Sequence, residues 1–236
     1  MTFYFVMLAA LAPVAWLLWT IYRKDSAQPE PTRWLVKAFL YGVLSAFLSF
    51  AISIPASMVL GLEMDNQTYT SAYQALVDAF MGAAIPEELA KCCMLWLLLR
   101  KNPFFDERFD GIVYAVCIGL GFAAIENVCY LYSGIEDWSW IGIGVMRALF
   151  SVPAHYFYAI LMGYYYSIYH FGIDRSVRVK VMILLAPIVA HGIFDFLLFC
   201  TQVDESLSGL LMILFMIFFT KLKGRARARL NELANS

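Results

Sequence analysis

Apolar residues run through most of this sequence in long stretches that short polar loops separate. Seven of these stretches reach the roughly 20 residues that an α-helix needs to cross a bilayer. The pattern therefore predicts an all-α polytopic membrane bundle with about seven transmembrane helices, forming a single integral membrane domain over residues 1–236. The predicted spans are residues 2–22, 34–62, 73–99, 111–132, 140–170, 179–200 and 206–222.

The fifth stretch, 140–170, is too long for one upright helix, and Pro153 lies in its middle. A proline removes a backbone hydrogen bond, which neighbouring groups in a membrane must then satisfy. We therefore expect a kinked or broken helix here. A break would raise the number of helices to eight.

Basic residues occur in every second loop, and the loops between them contain acidic residues but no Lys or Arg. Because cytoplasmic loops of membrane proteins are enriched in Lys and Arg, this alternation predicts an outside N-terminus and a cytoplasmic C-terminus. The first stretch has no basic region before it and no small-residue cleavage site, so we interpret it as a retained helix and not as a signal peptide. The acidic loops contain Glu63 and Asp65, Glu136 and Asp137, and Asp204 and Glu205.

The composition supports a membrane protein and excludes some kinds of site. The chain is 62% hydrophobic and only 15% charged, whereas soluble domains carry about 25% charged residues. Its five cysteines lie in apolar stretches and form no CxxC pair, so neither a disulfide framework nor a thiolate zinc site is indicated. We interpret the short basic tail as a topology anchor with affinity for membrane lipids, not as a nucleic-acid-binding segment.

The segment GAAIPEELAK places Glu87, Glu88 and Lys91 inside an otherwise apolar stretch. Each embedded charge costs about 2.5 kcal/mol or more on insertion scales, which favours a functional role. Lys91 follows the two acids by four and three residues, so it can reach either one on the same helix face. Pro86 suits the first turn of a helix, and the acids after it would lie at the positive end of the helix dipole. The structural alternative is an ordinary helix start with a salt bridge.

Further polar residues are embedded in the other central stretches and complete a candidate hydrolytic site. A Glu can act as general base on water, and His, Asn or Arg donors can stabilise an oxyanion. His191 and Asp195 are four residues apart, so the carboxylate can hold the imidazole. GxSxG and HExxH are absent, but two histidines and one Glu match the ligand set of catalytic zinc. We expect these embedded residues to converge on one water-accessible cavity, which lies between the bilayer centre and the outer face. The other members of the set are Glu126, Asn127, Arg147 and His155.

Four motifs in order resemble the PrsW family of intramembrane proteases, which is related to the CAAX prenyl proteases and to abortive-infection-type membrane proteins. The resemblance covers about residues 75–200, the predicted catalytic core. It implies a multi-pass peptidase of the bacterial inner membrane that makes the first, outer-side cut in a membrane-spanning anti-sigma factor. The motifs are Glu87-Glu88-x-x-Lys91, Phe122-x-x-x-Glu126-Asn127, His155 with Gly163, and His191-x-x-x-Asp195.

The resemblance also implies roles for these residues. Glu87 and Glu88 would include the general base, and His155 and His191 would be catalytic or bind metal together with the two glutamates. Zinc is the implied metal, although a mechanism that uses glutamate alone stays open. The residues with a supporting role would be Lys91, Phe122, Glu126, Asn127, Arg147 and Asp195.

The leading hypothesis is an endopeptidase that cuts a membrane-anchored protein near the outer face of the membrane, with Glu88 favoured slightly over Glu87 as the base. A proton- or ion-coupled transporter is the first alternative, because embedded acids and histidines also build proton relays. Transporters often contain inverted repeats, and this sequence shows one set of unrepeated motifs. A non-catalytic membrane scaffold is the second alternative.

Overall fold

The computed structural model describes residues 2–25, 28–60, 69–136 and 138–235, and within these ranges the regular structure is entirely helical. The predicted all-α fold class is therefore confirmed. Three of the acidic loop positions, Glu63, Asp65 and Asp137, lie outside the described residues, as do positions 61 and 62 at the predicted end of the second span.

Nine α-helices follow one another along the described chain. Two π-helical segments, Asp78–Ala84 and Arg147–Ser151, join successive helices, and a 3₁₀ turn, Glu205–Leu207, precedes the last one. The helices are α1 (Thr2–Lys24), α2 (Thr32–Leu60), α3 (Ala72–Val77), α4 (Ile85–Leu99), α5 (Asp110–Ser133), α6 (Trp140–Met146), α7 (Val152–His170), α8 (Val177–Val203) and α9 (Ser208–Ala234).

Six helical segments within the described residues are long and apolar enough to cross a membrane. They correspond to the predicted spans other than 73–99, so the polytopic bundle is confirmed. The remaining span is a helical path through α3, the first π-helical segment and α4, and it carries the charged residues at its centre. Its crossing of the membrane stays a prediction from its apolar flanks.

The long segment 140–170 is one continuous helical path and not two crossings. The π-helical turn Arg147–Ser151 ends two residues before Pro153, which lies in the first turn of α7. A wider turn at this point accommodates a residue that has no backbone N–H to donate. The break that would have produced an eighth helix is therefore absent, and the irregularity lies beside Arg147, which is buried.

Helix α5 is the centre of the bundle and is buried along most of its length. Two glycine contacts let neighbouring helices approach it closely. A methyl group at Gly121 would overlap the Phe39 carbonyl of α2, and one at Gly163 of α7 would overlap the Gly111 carbonyl of α5. Because small residues allow membrane helices to pack backbone to backbone, these contacts fix α2 and α7 against α5.

The last helix extends beyond its predicted end at residue 222 and continues to Ala234. The basic tail is thus helical and packed against the bundle. In this part of α9, Arg229 Nη1 lies 2.7 Å from Glu232 Oε2 and donates to the Tyr164 hydroxyl of α7. A buried stripe at helical spacing, which the charges of the tail obscure, stabilises the extension: Leu222, Ala226, Leu230 and Leu233.

Candidate active site

Helix α4 supplies three charged side chains: Pro86 is its second residue, directly after the first π-helical segment, and both glutamates and then Lys91 follow. Lys91 Nζ lies 2.8 Å from Glu88 Oε1 and 3.2 Å from Glu87 Oε2. The same ammonium lies 3.3 Å from His155 Nδ1 and 3.8 Å from the centre of the Phe122 ring. Lys91 therefore pairs with both acids of its own helix and also contacts α7 and α5.

Helix α8 places His191 between two carboxylates. Nδ1 of His191 lies 2.9 Å from Glu88 Oε1, and Nε2 lies 3.1 Å from Asp195 Oδ2. The contact with Asp195 is the one that the four-residue spacing predicted. The Tyr158 ring stacks on the imidazole, with ring centres 4.8 Å apart, so the plane of His191 is fixed from a third direction.

Helix α5 supplies the third glutamate, which joins the remaining polar residues. Glu126 Oε2 lies 2.8 Å from His155 Nε2 and 2.7 Å from Arg147 Nη2. Arg147 Nε donates to Asn127 Oδ1 at 2.6 Å, and Asn127 Nδ2 donates to the Ala10 carbonyl of α1 at 2.7 Å. The amide of Asn127 thus holds the arginine that in turn holds Glu126.

All ten residues singled out in the sequence lie in one connected network, and the ring centres of His155 and His191 are 5.4 Å apart. Their convergence is therefore observed, whereas their catalytic roles stay predictions. The sequence did not single out Tyr158, which contacts both histidines. It follows His155 by three residues on the same helix face, and that spacing is the signal that would have identified it.

Exposure distinguishes the carboxylates. The Glu88 side chain is 1% exposed, while those of Glu87, Asp195 and Glu126 are 16%, 16% and 21% exposed. A general base must contact water, and Glu88 is enclosed by Lys91 and His191. This geometry favours Glu87 as the base, which reverses the slight preference for Glu88 drawn from the sequence.

The donor atoms of the site fit a divalent cation. Glu87, Glu88 and His191 each offer a ligand atom within 4.8 Å of the others, and Glu87, Glu126 and His155 form a second such group. The two histidines thus belong to different groups that share Glu87, and not to the single set of ligands expected from the sequence.

Two further observations support this fit. The Oε2 atom of Glu88 is buried and has no hydrogen-bond partner. Lys91 and Arg147 balance only two of the four carboxylates, so two negative charges are left when both imidazoles are neutral. One divalent cation would neutralise that charge and provide a partner for the unpaired oxygen.

Comparison with known proteins agrees with this geometry. The model of the PrsW family of intramembrane metalloproteases matches residues 30–222. A protein named Protease PrsW from Clostridioides difficile is 34% identical over 92% of this chain and 87% of its own length. Two relatives of the same name also match. The one from Bacillus subtilis is 32% identical over 82% of each chain. The one from Geobacillus kaustophilus is 30% identical over 87% of this chain and 84% of its own length. No solved structure is significantly similar to this chain. The chain therefore belongs to the PrsW family of intramembrane metalloproteases and is a membrane protease.

Proposed function

We propose that this protein is an endopeptidase that hydrolyses a peptide bond of a membrane-anchored protein near the outer face of the bilayer. One observation carries the proposal: an apolar bundle encloses two histidines and four carboxylates, three of which are partly exposed. Water therefore has access to a general base inside an otherwise apolar environment. Such a site can hydrolyse a peptide bond that reaches membrane depth.

Glu87 is the proposed general base and takes a proton from the attacking water. Lys91, 3.2 Å away, orients the Glu87 carboxylate. Glu88 holds Lys91 and His191 in place and does not itself contact water, since it is fully buried. The assignment gives adjacent residues different roles, as expected for positions that point about 100° apart on a helix.

The hydrogen bonds also suggest the protonation state of His155. A lysine ammonium offers donors only, so Nδ1 of His155 accepts from Lys91 and the ring proton lies on Nε2, which donates to Glu126. His155 is therefore a neutral imidazole fixed from both sides. Because His155 lies between Lys91 and Glu126, it connects these two charged side chains and keeps them separated.

The metal we propose is zinc, held by Glu88, His191 and one carboxylate oxygen of Glu87, whose other oxygen stays free to act as the base. With Asp195 at Nε2, the Nδ1 atom that faces Glu88 is the ligand atom of His191, an arrangement of carboxylate, histidine and metal that is common in zinc sites. When bound, the ion would supply Lewis-acid activation of water. The ammonium of Lys91 contacts two of the same ligands, so it would balance part of the charge of their carboxylates.

The proposed substrate is a single-pass membrane protein, similar to the anti-sigma factors that the family resemblance implies. We place the enzyme in the bacterial inner membrane with its N-terminus outside, on the evidence of loop charge. Cysteines introduced at Phe104 or Ser176 should react only with reagents that reach the cytoplasm, and one at Glu136 should react from outside. The reverse labelling pattern would contradict this orientation.

The proposed reaction can be tested with purified protein in liposomes that also contain a single-pass test substrate. Mass spectrometry of the products should locate one cut close to the outer end of the substrate helix. The Glu87→Gln variant should leave the substrate intact. An unchanged substrate with the native protein, under conditions in which a PrsW relative cuts it, would contradict the proposal, and a cut at the cytoplasmic end would contradict the assigned orientation.

A further inference from the structure

A second group of carboxylates, two of them buried, lies at the other end of α5. Glu30 belongs to the connection between α1 and α2, Asp106 to the connection before α5, and Asp110 is the first residue of α5. These three each offer a carboxylate oxygen within 4.8 Å of the other two. Asp110 precedes Glu126 by sixteen residues, about 24 Å along the helix at 1.5 Å per residue, so this group is separate from the active site.

The group has no basic partner among the described residues. Glu30 and Asp110 are buried, as is the neighbouring Asp25, and none of them forms an ion pair with Lys or Arg in the part of the chain that the structure describes. Negative charge that is buried without a counter-ion is costly, so the group needs a cation or a proton.

Neutral donors satisfy only part of the group. The Tyr114 hydroxyl donates to Glu30, and the backbone N–H groups of Asp106 and Glu107 donate to Asp110 Oδ2 at 3.1 and 2.7 Å. The other oxygen, Oδ1 of Asp110, has no partner, although the side chain is only 1% exposed. The Asp110 carboxyl faces that of Glu30. An ionised carboxylate can only accept hydrogen bonds, so two carboxylates that face each other need a cation or a proton between them.

The surroundings favour a cation over a shared proton. Asp106 adds a third, exposed carboxylate that a shared proton would not need. A cavity of about 460 Å³ lies beside the group and is lined by Asp25, Asp106 and Glu107 among others. It reaches the proposed group at Asp106 and leaves room there for the waters that complete the coordination of an ion.

We propose that Glu30, Asp106 and Asp110 bind a hard divalent cation, Mg²⁺ or Ca²⁺. All the donors are carboxylate oxygens, which these ions prefer, whereas the active site offers imidazole nitrogen as well. A bound ion fastens the α1–α2 connection to the start of α5, the central helix of the bundle. The site is thus a structural cation site, independent of the catalytic metal.

The experiment uses full-length protein in detergent, freed of metal with a chelator that is then removed. Thermal unfolding is followed by tryptophan fluorescence while MgCl₂ or CaCl₂ is added at constant ionic strength. The native protein should show a saturable rise in Tm, because an ion that binds only the folded state stabilises it. In Asp106→Asn the cation concentration at the midpoint of the Tm rise should increase roughly tenfold or more. A loss of affinity of this size is typical even for a residue that only hydrogen-bonds a metal ligand.

Two matched variants distinguish cation binding at this site from binding elsewhere on the protein. Asp174→Asn removes an exposed acid from another loop, and Glu87→Gln alters the active site, so both should keep the native midpoint. Glu30→Gln provides a second test if Asp106→Asn does not fold. The proposal is overturned if the native protein shows no saturable rise, if Asp106→Asn keeps the native midpoint, or if Glu87→Gln removes the rise.

Discussion

The two adjacent glutamates of α4 should respond differently to the same substitution. Glu→Gln keeps the size and hydrogen-bonding capacity of the side chain but removes the basic oxygen. Glu87 is partly exposed, 3.2 Å from Lys91 and 3.9 Å from His191 Nε2. Glu88 is buried, and its Oε1 serves both Lys91 at 2.8 Å and His191 at 2.9 Å. Glu87→Gln should therefore affect chemistry, and Glu88→Gln should affect folding stability as well.

The expected magnitudes follow from these contacts. Loss of a positioned base lowers kcat by about 100- to 10,000-fold, equivalent to about 2.7 to 5.4 kcal/mol of transition-state stabilisation. Breaking a buried ion pair costs about 3 to 5 kcal/mol. Because Lys91 keeps Glu87 and His155 as neighbours, we take the lower figure of about 3 kcal/mol for Glu88→Gln, which corresponds to a fall in Tm of roughly 6 to 12 °C.

The assay is cleavage of a single-pass substrate in liposomes, with rates normalised to folded enzyme, alongside thermal unfolding of each variant. Glu136→Gln, the same change in an exposed loop, is the control and should alter neither property. Near-native cleavage by Glu87→Gln would refute its role as base. A native Tm for Glu88→Gln would refute the claim that this buried carboxylate holds Lys91 and His191.

Other substitutions test the rest of the site and the packing around it. His191→Ala should abolish cleavage, whereas Asp195→Asn should lower it by about 10- to 100-fold, the effect typical of a residue that orients a metal ligand; equal rates for the two variants would contradict the separate roles. Gly163→Leu should lower Tm strongly, because a Cβ there overlaps the α5 backbone, while Gly142→Leu, where a Cβ has open space, should not; equal Tm values would contradict the close crossing. Cys92→Ser should keep native cleavage, since no thiol takes part in the proposed reaction; loss of cleavage would contradict this.

Spacing along a helix was enough to predict contacts within that helix. Lys91 reaches both acids of α4, and His191 pairs with Asp195, because residues three or four apart lie on one face. The number and order of apolar stretches likewise predicted the helical bundle. These features depend on local geometry, which the sequence expresses directly.

Contacts between helices depend on rotation and depth, which spacing does not determine. The sequence did not predict that His155 would contact Glu126 while His191 contacts Glu88, or that Glu88 would be the enclosed carboxylate. The π-helical turn at Arg147–Ser151 was also missed, because a proline indicates an irregular helix without specifying its kind. The helical continuation of α9 was missed because the basic residues of the tail hid its buried stripe.

The most direct test of a metal-dependent Glu/His peptidase is to measure cleavage and metal content on the same preparation of purified protein. The proposed zinc site predicts about one zinc ion per chain in the active preparation, by the stoichiometry of a catalytic zinc site. A chelator should abolish cleavage, and added Zn²⁺, but not Mg²⁺, should restore it. Full cleavage by protein shown to be free of metal would contradict the account and would assign the reaction to the glutamates and histidines alone.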